Sequence, residues 1–361
     1  MVQPSLSGAP KWVYKTGPRL LGALGAVLLF LFAVQLLGAA TEAAAGPLER
    51  IVRQYVLGDG SALGLSWLST YALTNGSVVA ALSVSLFSAG ILDPSQLFLM
   101  VAGSRLGGAG IVVLIGALDY VQKRRYSLGE ATQLGLLTFL VTLSVFVPGT
   151  LLGRWLVPVV EPLAWDGSLQ LAQVRALSVL RPLTGQFVEW VGTTISLLVA
   201  VSLLFLSLTL FDRVLSRVDT NWLRTRFFDR FSNRWLGFVL GVLVTGTTTS
   251  VAFSLGVVVP LYNRGYVKRQ EIVPYILGAN LGTFFDTIVV AVLLDSPTGL
   301  LVVLTLVGVG TLWTVGLLIV YDPFSTVLGR AHDRLVGDPR YFVGFLALLI
   351  VCPLALIVLP V

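Results

Sequence analysis

The sequence predicts an all-α integral membrane protein built as two inverted repeats. Each repeat has a spanning helix, a re-entrant helical hairpin and two further spanning helices, and a C-terminal helix follows. Three observations predict this. The 361-residue chain is 56% hydrophobic and only 12% charged, with a mean hydropathy of +0.89, where a soluble domain carries about 25% charged residues. Apolar runs such as LLGALGAVLLFLFAVQLL are long enough to cross a bilayer as helices and do not alternate as barrel strands do. Two apolar segments are interrupted by small polar residues at matching places in the two halves, Thr74-Asn75-Gly76-Ser77 and Thr245-Gly246-Thr247-Thr248-Thr249-Ser250. Glycine lets the backbone unwind there, and hydroxyls and freed carbonyls then replace water that lipid does not supply.

Taken in order, residues 1–18 are a polar tail. The run 20–41 has no small-residue cleavage site close behind a short apolar core and reads as an anchor helix rather than a signal peptide. Residues 46–60, with Glu49, Arg50, Arg53 and Asp59, form a polar linker. The first hairpin occupies 61–92, and spans at 95–120 and 128–152 follow it. A loop at 153–182 carries Pro158, Pro162 and Pro182, and a span follows at 183–211. The linker 212–234 holds six arginines with Trp222, Phe227 and Phe228; it fits a helix on the membrane surface or a solvated basic loop. The second broken segment is 235–261, then a turn at 262–270, helices at 271–294 and 298–321, a basic loop at 322–340 and a last helix at 341–361. The first repeat thus occupies 19–157, an external loop 158–182, the second repeat 183–321 and a terminal unit 322–361. Matching residue types sets Thr74 on Thr245 and Gly103 on Gly278, which implies four extra residues in the second turn.

Charge placement fixes the expected topology. With a cytoplasmic N-terminus and hairpins that enter and leave on one side, 18 Lys and Arg residues lie inside and 5 outside, with Arg105 within a span. That split obeys the positive-inside rule. It makes the halves antiparallel, a recurrent design of secondary transporters. The net charge of +6 therefore flanks membrane spans, and no nucleic-acid partner is implied. One cysteine and one histidine exclude an intrachain disulfide and a multi-histidine metal site. No nucleophile has a visible base, and no phosphate-binding loop is present, so neither an enzyme nor a resident cofactor is expected. His332 reads as solvated and Cys352 as packed.

Candidate site residues cluster at the interruptions. Asn280, in Gly278-Ala279-Asn280-Leu281-Gly282-Thr283, offers an amide to a cation, to a substrate oxygen or to a neighbouring helix. Thr247, Thr248, Thr249 and Ser250 offer hydroxyls and carbonyls to a hard cation or bond back to their own helix. Asn75 and Ser77 repeat that chemistry in the first half. Arg105 and Asp286 are charges inside apolar spans, where each costs at least about 2.5–3.5 kcal/mol at the centre. Arg105 either grips an oxyanion, pairs with Asp286 or snorkels; Asp286 binds a cation or proton, or pairs.

The hairpin followed by GANLGT resembles the sodium/phosphate cotransporter family, whose two inverted copies each carry a QSSS-type hairpin and a GANIGTT-type helix. Residues 278–283 match the helix motif through its sixth position, with Phe284 where a second threonine is the family's choice. Thr245-Gly246-Thr247-Thr248 lies where QSSS would fall. In the first copy, Arg105 stands where the asparagine belongs. The resemblance covers most of residues 20–321. It implies a plasma-membrane, multi-pass symporter of inorganic phosphate or a similar small oxyanion driven by Na+. Substrate would be held by Arg105, Asn280, Ser77, Thr248 and Thr283, and the ion by Thr247, Thr249, Ser250, Asn75 and Asp286. The alternative is a membrane scaffold that keeps the fold and does not transport.

Overall fold

The computed structural model describes residues 11–123, 128–165, 180–215, 233–251, 253–255, 258, 262 and 267–358. Every regular element among them is an α-helix. Among the described residues, seven helices are long and apolar enough to cross a membrane: Leu20–Ala43, Pro94–Leu118, Gln133–Val160, Thr193–Leu215, Arg269–Leu293, Pro297–Ile319 and Pro339–Val358. The protein is therefore an all-α, multi-pass membrane protein.

Helix α1 (Lys11–Ala43) leads to α2 (Ala45–Tyr55), a short amphipathic helix with no buried residue. The first hairpin is α3 (Asp59–Leu73) and α4 (Gly76–Ser88). Between them Thr74 takes a left-handed conformation at φ 53°. Asn75 caps α4 by accepting from the Ser77 and Val78 amides at 3.0 and 3.2 Å, which satisfies two donors that every helix N-terminus leaves open. Helix α5 (Pro94–Lys123) packs along α3. Close approach is what Gly103 provides: a Cβ there would strike the Leu63 carbonyl.

The second half repeats this construction. Helix α9 (Arg234–Thr248) ends at Thr249, left-handed at φ 50°. The Ser250 hydroxyl accepts from the Phe253 amide at 3.1 Å. Helix α10 (Arg269–Gly282) packs on α9, with Gly278 against the Phe238 carbonyl. A constant step of 175 residues relates these positions: 63 to 238, 74 to 249 and 103 to 278. The equivalent of Thr74 is therefore Thr249 and not Thr245, and no four-residue insertion separates the copies. The left-handed break sets the register, and the run of similar hydroxyl residues in 245–250 hides it.

Helix α10 continues almost straight into α11 (Phe284–Leu293), and α12 (Pro297–Ile319) follows. The inner pair is α5 with α10–α11: 67% and 78% of their spans are buried, against 22% for the span Thr193–Leu215 and 17% for the last helix. The two helices bearing the GANLGT-type positions are thus the best shielded from lipid.

Three differences from the expected elements have physical causes. Where a loop was expected from 153, α6 (Leu128–Trp165) continues through Pro158 and Pro162; a backbone without water as an alternative partner keeps its helix across proline. The span expected at 183–211 is two helices, α7 (Arg181–Val191) and α8 (Thr193–Leu215), separated at Gly192 with φ 86°. The basic loop expected at 322–340 is helix α13 (Tyr321–Gly337), followed by α14 (Pro339–Val358). Asp322 in its first turn and Arg334 in its last suit the helix dipole, and Tyr321, Leu328, Gly329 and His332 form its buried stripe. His332 is consequently buried, not solvated. Its Nδ1 accepts from the Arg269 guanidinium at 3.1 Å, and its Nε2 donates to the Gln133 carbonyl at 3.0 Å. Cys352 is exposed on α14 rather than packed. The body of the basic linker, 216–232, and the middle of the 153–182 loop, 166–179, lie outside the described residues.

Candidate functional site

Both breaks open onto one cavity of about 500 Å³. Thr74, Asn75, Gly76 and Ser77 line it from the first hairpin; Thr249, Ser250 and Val251 line it from the second. Helix α5 contributes Ser104 and Arg105, α10 contributes Asn280, and Thr283 lies where α10 meets α11. Of the residues expected to bind substrate or ion, Arg105, Asn75, Ser77, Thr249, Ser250, Asn280 and Thr283 are brought together here. Thr247 and Thr248 are not on this wall. Their hydroxyls donate back to α9, to the Leu243 carbonyl at 2.7 Å and the Val244 carbonyl at 2.6 Å, the local bonding such residues favour in a helix.

Arg105 sits one step of 175 residues from Asn280, so the two inner helices present an arginine and an amide to the same space. Its Nη2 donates to Asp286 Oδ1 at 3.2 Å and to Thr287 Oγ1 at 2.5 Å, while the Thr287 hydroxyl donates to Asp286 Oδ1 at 2.8 Å. The guanidinium carbon lies 4.7 Å from the centre of the Phe284 ring, and Phe284 in turn leans on Phe146 at 5.7 Å. The two departures from the family motif, Arg105 and Phe284, thus touch each other. Phenylalanine supplies a π face to a cation that lipid would otherwise leave unsolvated.

The pair is buried, with side chains 7% and 4% exposed, yet it is incomplete. One nitrogen carries both bonds; Arg105 Nε and Asp286 Oδ2 are buried without a partner. Asn280 Oδ1 accepts from Thr142 at 3.1 Å, and its Nδ2 has no partner; neither has the Thr138 hydroxyl, which also lines the cavity. Unpartnered buried polar groups cost about 1–3 kcal/mol each, so a cluster of them around a cavity marks a place for a polar guest. Asp286 itself lies behind Arg105, on a second, mostly apolar cavity of about 230 Å³ between α1, α8 and α11.

Two lining residues were missed in the sequence. Thr138 lies on α6, which carries no break. Asp212 was read as the start of a linker, but α8 runs on to Leu215 and turns Leu208, Phe211 and Asp212 to the cavity. The signal was the helical spacing of those three residues. Asp212 interacts with the Ser250 hydroxyl.

A helical membrane protein with two broken hairpins meeting at a cavity that carries hydroxyls, an amide and an arginine has the build of a secondary transporter. Residues 203–320, about a third of the chain, match the family model described as Na+/Pi-cotransporter, which supports a relation to that family. The match takes in the second hairpin unit with Asp212, Asn280 and Asp286. No curated protein and no solved structure matches the chain.

Proposed function

We propose that the protein is a Na+-coupled symporter of inorganic phosphate or a similar small oxyanion. In this reading it sits in the plasma membrane with its N-terminus in the cytoplasm and its hairpins entering from opposite faces. The observation that carries the reading is a set of buried donors without partners on residues that line one cavity: Arg105 Nε, the Asn280 amide and the Thr138 hydroxyl. A guanidinium fork and an amide are the groups that replace water around an oxyanion. Helix α4 also begins at this cavity, and its positive end favours an anion. Sodium suits the ring of hydroxyls and loop carbonyls, which are hard oxygen ligands.

The Arg105–Asp286 pair favours a second reading, because a permanently neutralised arginine holds no anion and the fold would then serve as a scaffold. Uptake of radioactive phosphate by proteoliposomes separates the two. Accumulation that requires an inward Na+ gradient supports transport. No uptake of phosphate, sulfate or arsenate under either a Na+ or a proton gradient assigns the chain to the scaffold reading.

A further inference from the structure

We propose that Asp212, together with Ser250 and the carbonyls at the Thr249 break, is the seat of the coupling cation, and that Asp286 is not its carboxylate. This rests on the symporter reading and assigns a residue that the broken-helix motifs do not contain.

The argument begins with charge. Arg105 and Asp212 are the only charged side chains on the cavity wall among the described residues. Arg105 is already balanced by Asp286 behind it. Asp212 is therefore the uncompensated charge, and no basic side chain among the described residues acts on it. A half-buried carboxylate on the cavity wall, with no cationic partner among the described residues, suits a guest cation.

The surroundings of Asp212 offer further oxygen ligands. The Ser250 hydroxyl is beside it. Helix α9 ends at Thr248, and the left-handed turn at Thr249 takes the last carbonyls out of the helical ladder; that of Thr248 accepts from the Thr249 hydroxyl at 2.8 Å and keeps a second lone pair. A helix C-terminus carries partial negative charge, so α9 and Asp212 act in the same sense. Leu208 and Phe211, on the same wall as Asp212, also line the apolar cavity.

The seat also accounts for coupling. Arg105, Asp286 and Asp212 sum to one negative charge, and an oxyanion entering that site alone meets repulsion. A cation on Asp212 removes it, so each ligand raises the affinity of the other by the same factor.

The test is thermal unfolding of the purified full-length protein in detergent, titrated with NaCl against choline chloride at constant ionic strength. Wild type and Ser202→Ala, a variant on the exposed side of α8, are expected to share one Na+ midpoint. Asp212→Asn is expected to shift that midpoint upward at least about tenfold, the effect of losing a charged ligand. Should that variant not fold, Asp212→Glu is expected to fold and to change the Li+ to Na+ preference. An unchanged midpoint in Asp212→Asn, an unchanged ion preference in Asp212→Glu, or a wild type indifferent to Na+ would each overturn the proposal. Because this readout needs no cargo, a wild type that moves no phosphate yet loses its Na+ response in Asp212→Asn overturns the transport reading and leaves the seat standing.

Discussion

Arg105 reaches Asp286 through a single nitrogen, at 3.2 Å, and leaves Nε of the same guanidinium buried and unbonded. Pairing and anion binding are therefore not exclusive roles for this arginine. The carboxylate neutralises it in the apolar interior, and Nε keeps an unused N–H on a residue that lines the cavity. The pair makes a membrane arginine affordable; the spare donor gives it work.

The first prediction concerns that pair. Arg105→Ala leaves Asp286 as a lone buried charge, and breaking a buried pair this way costs about 3–5 kcal/mol. Expression and thermal stability of the single variant should fall sharply. Arg105→Ala with Asp286→Ala removes both charges and should recover folding by size-exclusion chromatography, while phosphate uptake stays absent. Equal folding of wild type, single and double variants would show that the two charges are not energetically coupled.

A second prediction tests the close approach of α10 to α9. A Cβ at Gly278 meets the Phe238 carbonyl, which is backbone and has little room to give. Gly278→Ala should destabilise by about 1–3 kcal/mol or more through forced separation of the helices. Gly246→Ala, on α9 but with only ordinary contacts around the added atom, should be neutral or stabilising by up to about 1 kcal/mol from helix propensity. Comparing the two melting temperatures checks the packing, and an equal loss in both would refute it.

Much of the architecture was legible because lipid imposes a simple rule. A run long and apolar enough to span had to become a helix, and each expected run overlaps one of the seven spans, although the span expected at 183–211 begins ten residues later, after the break at Gly192. The breaks were legible too, since hydroxyls and glycines have no other reason to interrupt such runs. The register between the copies was not legible. Thr245, Thr247, Thr248 and Thr249 look alike as letters, and only the left-handed φ at Thr249 distinguishes the partner of Thr74. Asp212 was lost at a compositional boundary, where a charge reads as the end of a span although the helix continues. Helix α13 was lost for a related reason: its charges lie on the outer face and mask the stripe of Tyr321, Leu328 and His332.

That helix supplies a third prediction. Arg269 binds Asp333 with both terminal nitrogens, and its guanidinium holds the Asp333 carboxyl below the usual carboxylate range. A depressed folded-state pKa gives stability that is complete above the free-carboxyl value, about 3.9. It is lost as pH falls through the lower folded value. Asp333→Asn should therefore cost stability at neutral pH and converge with wild type in strong acid. Asp333 is 63% exposed, so the difference at neutral pH should be no more than about 1 kcal/mol. A difference that grows on acidification would contradict the assignment.

The fourth prediction addresses the inversion of the two halves, on which the meeting of the hairpins in mid-membrane depends. Each hairpin is followed by a polar bend that leads into an inner helix: Asp93 precedes α5, and Lys268 precedes α10. If the hairpins enter from opposite faces, these two bends lie on opposite sides of the membrane. The chain has one cysteine, Cys352, exposed on the lipid-facing last helix, so Cys352→Ser should be structurally neutral and provides a cysteine-free background. In intact cells, a membrane-impermeant maleimide should label Asp93→Cys and spare Lys268→Cys, and labelling of the second should require permeabilised membranes. Asn75 and Ser250 occupy equivalent positions in the two breaks and share one cavity wall. Labelling of both bends from the same side would leave that shared cavity without the topology that makes alternating access to it possible.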